Sequence, residues 1–207
     1  MPGKLSAGHH SITDWDFERP DTDYSLSPLE FVSPPTSLRL FISDMSVRCT
    51  FLCRIPETLC LPQGEIRTWI LNPYASVRVA CFRNQAPLGT SHPHDCYYLI
   101  LSFDKAYFYY YWGGISQLIS QQACPYPVGE WVHWRVFWYN GKTPGDVDAL
   151  CVDLYREIAG EWEKQGATFY HTANLWADSE INRCGFLHYI RAGDAVYYDD
   201  TEIWGPV

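Results

Sequence analysis

The stretch Gly129-Glu130-Trp131-Val132-His133-Trp134-Arg135-Val136-Phe137-Trp138-Tyr139-Asn140-Gly141 decides the fold. Turn formers close it at both ends, and between them the side chains alternate. Val132, Trp134, Val136 and Trp138 share one face; His133, Arg135, Phe137 and Tyr139 share the other. A period of two belongs to a β-strand, whose successive side chains leave opposite faces of the sheet. The first face carries two indoles, among the largest single contributions a core can receive. A second sheet has to cover them.

Working outward, the same alternation marks further strands. Ser46 to Ile55 sets Val47, Cys49, Phe51, Cys53 and Ile55 on one side and Arg48, Thr50, Leu52 and Arg54 on the other, the pattern of a half-buried antiparallel strand. Strands are also expected at 14–18, as a sheet edge, and at 29–32, 36–42, 65–71, 75–83, 96–103, 106–112, 115–120, 183–191 and 195–204. In 75–83, Val77, Val79 and Cys81 are expected inward. Residues 19–28, 84–95 and 166–180 are dense in turn formers and read as loops.

Two segments need a decision. In 146–164, Leu150, Leu154, Ile158 and Trp162 fit a helix, while Leu150, Val152 and Leu154 alternate with Cys151, Asp153 and Tyr155. Gly160 and the surrounding strands favour strands over 148–158 and 161–164, with a turn at Ala159-Gly160. In the last strand, Val196 and Tyr198 share a face that Thr201 and Ile203 keep only if the phase slips. A β-bulge at Asp199-Asp200 would do this. The expected product is all-β: a two-sheet antiparallel sandwich, or jelly roll, over 14–207, preceded by an aperiodic arm at 1–13.

Composition narrows the function. The net charge of −9 comes without any Lys/Arg block, which excludes the electrostatic footprint of a nucleic-acid binder and suits an anionic membrane poorly. No apolar run is long enough to span a bilayer. The N-terminus has no apolar h-region, so no signal peptide is expected. Of eight Cys, Cys49, Cys53 and Cys81 read as small buried hydrophobes, and the spacings match no zinc pattern. Free thiols are the expectation, with one or more disulfides the alternative if the chain reaches an oxidising compartment.

Three stretches carry a resemblance. They are Phe17-Glu18 with Ser33-Pro34-Pro35-Thr36-Ser37-Leu38-Arg39-Leu40; Gly129-Glu130-Trp131-Val132-His133-Trp134-Arg135-Val136; and Gly193-Asp194-Ala195-Val196-Tyr197-Tyr198-Asp199-Asp200-Thr201-Glu202-Ile203. In this order they resemble the opening, central and closing strands of the concanavalin A-like lectin/glucanase sandwich, which includes lectins, laminin-G-like modules, glycosidases and polysaccharide lyases. Retaining glycosidases of that fold use paired carboxylates on one strand. The nearest carboxylates here, Glu157, Glu161 and Glu163, are interrupted by Gly160 and make no such array. Lyases of that fold use a His or Tyr base with an Arg or Gln; His133, Arg135 and Tyr139 on one strand face would serve, and His188 with Arg191 is a weaker version. Asp199 and Asp200 are the candidates for a structural Ca²⁺. Against that stands a plainer role, in which one Asp accepts backbone N–H groups opened by the bulge. His92 and His94 are weak metal candidates. No other cofactor is implied.

The run Tyr107-Phe108-Tyr109-Tyr110-Tyr111-Trp112 is the second informative feature. Alternation sends one of its two sets away from the core, and exposed contiguous aromatics mark contact surfaces. The sequence therefore points first to a non-catalytic, lectin-like jelly-roll module, a homo-oligomeric component of a larger assembly such as a virion decoration or fibre. A glycan-binding protein and a polysaccharide lyase are the alternatives. Without a leader, the expected location is a virion or extracellular surface, or otherwise the cytoplasm.

Overall fold

The computed structural model describes residues 2–6, 15–17, 23–27, 37–41, 48–53, 62–71, 76–85, 95–102, 104–179, 183–189 and 195–206. They form two antiparallel sheets. The larger runs in the order β13 (Glu161–Lys164), β12 (Asp148–Ile158), β11 (Trp131–Lys142), β6 (Gly64–Leu71), β16 (Ala195–Pro206), β4 (Ser37–Phe41) and β3 (Asp23–Ser27). Two more strands join it: β1 (Pro2–Ser6) beside β16, and β14 (Phe169–His171) beside β12. The smaller sheet runs β10 (Ile115–Ala123), β9 (Lys105–Trp112), β8 (Cys96–Ser102), β7 (Ser76–Asn84), β15 (Arg183–Tyr189), β5 (Arg48–Cys53) and β2 (Trp15–Phe17).

β11 is the strand its alternation predicts. Val132, Trp134, Val136 and Trp138 are buried, and the residues between them are partly exposed. The smaller sheet supplies the facing layer: Ala80 and Phe82 from β7, Tyr97, Leu99 and Leu101 from β8, and Ala106 and Phe108 from β9. Phe82 stacks on Trp138 with ring centroids 5.1 Å apart. Tyr126 meets Trp134 edge-on at 6.2 Å. The indoles therefore lie between the layers, where burial of a large aromatic side chain contributes about 1.5–3 kcal/mol by area alone.

The ambiguous segment is a strand. Leu150, Val152 and Leu154 all enter the core from β12. Ala159 and Gly160, at φ 52° and 86°, make the two-residue turn into β13, because a tight hairpin requires a left-handed pair. Gly113 and Gly114, at 57° and 89°, do the same between β9 and β10. The bulge in β16 is also present. Its register against β6 shifts between Asp199 and Glu202, Asp200 sits at φ 43°, and Thr201 and Ile203 return to the buried side. The Asp200 N–H donates to Asp199 Oδ1 at 2.9 Å.

Several expectations are corrected. Residues 2–6, read as part of an arm, form β1 and pair with residues 203–206 of β16. β4 occupies the same edge of β16 only over 195–198, so β1 takes up the stretch of edge that β4 leaves. Part of the supposed turn region 19–28 is strand β3, paired with β4. Part of the loop 166–180 is β14. Cys81 does not enter the core. A register shift between Arg78 and Ala80 reverses the phase of β7, so Ala80 and Phe82 point inward. Cys81 joins Cys96, Tyr98 and Tyr111 in a separate buried cluster on the other face. The expected strand 29–32, His92 and His94 lie outside the described residues, as do the side chains of 48–53.

Candidate functional site

Since the even-numbered residues of β11 from Val132 to Trp138 fill the core, His133, Arg135, Phe137 and Tyr139 stand on the outer face of the larger sheet. Register builds a site around them. Trp69, Arg67 and Glu65 of β6 lie opposite His133, Arg135 and Phe137. On the other side Tyr155 lies opposite Arg135 and Asp153 opposite Phe137. β13 adds Trp162 and Lys164, paired with Glu157 and Tyr155. β16 adds Glu202 and Trp204, paired with Arg67 and Glu65.

Arg67 and Arg135 are direct cross-strand neighbours, an arrangement that repels unless something neutralises it. Glu65, wholly buried, does so. It accepts from Arg67 Nε through one oxygen and from Arg135 Nη2 through the other, the latter at 2.6 Å. Charge-assisted bonds of this kind fix the planes of both guanidiniums. The planes are also held against rings: Arg67 lies 4.5 Å from the centroid of Trp204 and 5.9 Å from that of Trp162, and Arg135 lies 4.9 Å from that of Tyr155.

His133 is held as firmly. Its ring stacks on Trp69 at 4.6 Å and leans on Trp162 at 4.7 Å. Its Nδ1 lies 2.5 Å from Glu157 Oε2. A carboxylate on Nδ1 holds the proton there in the neutral imidazole and leaves Nε2 as the basic nitrogen.

Tyr139 shares the face but not the neighbourhood. It lies six residue steps along the strand from His133, about 20 Å away. Its hydroxyl is 3.5 Å from Asp153 Oδ2, and Asp153 also takes Lys164 Nζ at 2.6 Å and Thr168 Oγ1 at 2.7 Å. Burial first, and the Asp153 charge second, push the Tyr139 hydroxyl up to about 12. That is wrong for a base working near neutrality. The structure thus joins His133 and Arg135 to Glu65, Arg67, Trp69, Glu157 and Trp162, and leaves Tyr139 apart. The alternation of Glu65, Arg67 and Trp69 in the 65–71 strand was the available signal for three of these partners.

The aromatic run divides between both faces of the smaller sheet. Phe108 is in the core and Tyr110 packs against it. Tyr107, Tyr109 and Tyr111 face away, with Tyr109 stacked on Tyr98 at 5.3 Å and Tyr111 buried. Only Trp112, 56% exposed at the hairpin end, presents a large open surface. As for a cation, Asp199 already accepts the Asp200 amide, and among the described residues no group of three or more His, Cys, Asp or Glu could hold a metal.

A further knot closes one end of the sandwich. The Leu175 N–H donates to Tyr97 Oη at 2.9 Å, and Tyr97 Oη is hydrogen-bonded to His171 Nδ1, 2.7 Å away. Burial lowers the affinity of the His171 imidazole for its second proton. The folded state binds fewer protons here than the unfolded state, whose His titrates at about 6.5. Stability from this contact is complete above that pH and is lost as pH falls below it. Urea midpoints should drop as pH falls below about 6.5, and His171→Phe should flatten that drop. An unchanged slope in the variant would remove His171 as its source.

No family model and no curated protein matches this chain. Solved structures do. A protein of unknown function from Shewanella oneidensis MR-1 is 14% identical, with a TM-score of 0.58 over 100% of this chain and 90% of that one. The marine PL-14 alginate lyase from Aplysia kurodai is 13% identical, with a TM-score of 0.58 over 88% and 87%. Alginate lyase vAL-1 from Chlorella virus is 8% identical, with a TM-score of 0.57 over 99% and 100%. At such identities the likeness is one of architecture. With its two antiparallel sheets and its indoles enclosed between them, this chain has the concanavalin A-like jelly-roll sandwich fold.

Proposed function

We propose that the chain is a saccharide-binding jelly-roll protein and that the outer face of the larger sheet is its ligand seat. The observation that carries this is the lattice of Trp69, His133, Trp162, Arg67 and Trp204, in which indoles and cations are stacked, half exposed and held in place by buried or paired carboxylates. Binding sites combine aromatic surface with a few fixed polar groups. Sugar rings lay their C–H faces on indoles and their hydroxyls against such groups. The solved structures of like fold include two named alginate lyases, which agrees with a saccharide ligand.

One observation favours a second reading, polysaccharide lyase: the His133–Glu157 pair, which orients an imidazole beside two guanidiniums. In that role His133 Nε2 would take the proton α to a uronate carboxylate. A single experiment addresses both. Neutral and uronate polysaccharides are titrated against Trp fluorescence while the absorbance of unsaturated product is followed. The expected result is saturable quenching that Trp162→Ala weakens at least tenfold, about 1.4 kcal/mol. Quenching without product removes the lyase reading; no response to any polysaccharide removes the proposed function.

A further inference from the structure

Among the described residues, the free edges of these sheets are guarded with one exception; β1, for instance, contains Pro2 and Lys4. β13 is four residues long and contains Glu161, Glu163 and Lys164. β14 and β2 have three residues each, and β2 includes Asp16. β3 begins with Asp23. Short strands and charges are how edges avoid pairing with another chain. β10, by contrast, is a nine-residue edge of sequence ISQLISQQA, with no charge and no proline. Residues 106–129 contain no charged residue at all. Of the five large hydrophobic residues exposed among the described ones, three lie on this hairpin: Trp112, Ile115 and Leu118, at 56%, 62% and 48%.

We infer that β10 is the self-association edge of this protein, pairing antiparallel with β10 of a second copy over Ile115–Leu118. The occupant follows from charge. Two copies of a chain with net charge −9 repel each other over most approaches. A two-fold pairing sets a patch against its own copy, so a patch of one net sign meets that same sign across the axis. The uncharged hairpin is where this cost vanishes. The segment is set by what already covers the rest of the strand. The register shifts between Leu118 and Ser120, which bends the strand beyond that point. Gln122 is tied to the chain's own 165–167 turn, donating to the Gln165 carbonyl at 2.8 Å and accepting from the Ala167 N–H at 2.9 Å. Ile115–Leu118 remains, flanked by Trp112. This edge belongs to the smaller sheet, so association leaves the proposed saccharide seat open.

Sedimentation velocity of the full chain, from about 1 µM to about 1 mM, tests the inference. The mass is expected to rise from one chain to two and stop there. Ile115→Lys and Leu118→Lys, which place on β10 the kind of charge the other edges carry, should each raise the dissociation constant at least tenfold. Both side chains are exposed, so the fold survives the change. Amide hydrogen exchange of the unmodified protein gives a second reading that needs no variant: amides within 115–118 should gain protection at high concentration. A monomer throughout, a dimer indifferent to both lysines, or exchange at 115–118 that does not depend on concentration overturns the inference.

Discussion

A Trp138→Ala protein is expected to lose about 3–5 kcal/mol of folding stability, the range for a buried Trp truncated in a packed core. Trp138 is wholly buried and stacks on Phe82 of the opposite sheet. The fit extends to the backbone: a Cβ added at Gly64 would stand 2.7 Å from the Trp138 ring and 3.0 Å from the Trp204 carbonyl. β6 is pressed against the indole, so removing the ring leaves a cavity that neither sheet can close without bending. Domains of this kind are stable by only about 5–15 kcal/mol, so the variant should sit near the folding threshold. Urea denaturation measures it. A loss under about 1 kcal/mol would mean that the two sheets do not meet through this ring.

Arg83→Met should also destabilise, by about 1–3 kcal/mol, for a different reason. Arg83 is wholly buried at φ 47°. Its Nε donates to the Pro62 carbonyl at 2.8 Å, Nη1 to Asn174 Oδ1 at 2.8 Å and the Leu175 carbonyl at 3.0 Å, and Nη2 to Asn140 Oδ1 at 2.6 Å. Methionine fills much of the volume and satisfies none of these oxygens, and an acceptor left bare where water cannot reach it costs about 1–3 kcal/mol. Three segments depend on this one guanidinium: the chain before β6, the end of β11, and the turn 172–179, where Asn174 and Trp176 also sit at positive φ. Arg83→Lys should rescue little, because a single ammonium cannot reproduce a planar fork. Stability within about 1 kcal/mol of the unmodified protein would show that the knot is incidental.

The parts of this fold that were legible in the sequence are those that side chains encode. Period two in β11 and β12, the glycines at 113–114 and 160, and the phase slip at Asp199-Asp200 each leave a mark on residue order. β1 and β3 leave little, since these short edge strands are held through main-chain bonds, which do not require alternation in the side chains. Cys81 was placed on the wrong face because the shift between Arg78 and Ala80 has no glycine or proline to announce it.

The site was half legible. Alternation put His133 and Arg135 outward, but nothing in residue order marks Glu65 or Arg83 as parts of a buried network. Their burial comes from partners distant in sequence, Arg135 for the first and Asn140 and Asn174 for the second. Trp162 was hidden by a spacing that also fits a helix. The assembly reading drew on an arm waiting for a neighbour to order it, and residues 2–6 are paired with the chain's own β16 instead.

The central claim is that one face of the larger sheet receives the ligand while the indoles beneath it serve only the core. Nuclear magnetic resonance of the Trp side-chain N–H groups during addition of a bound saccharide separates the two most directly. The expected result is that the signals of Trp69, Trp162 and Trp204 move with saturation, while those of Trp134 and Trp138 stay still. Movement confined to Trp112, or none on the larger sheet while binding is seen by other means, would contradict it.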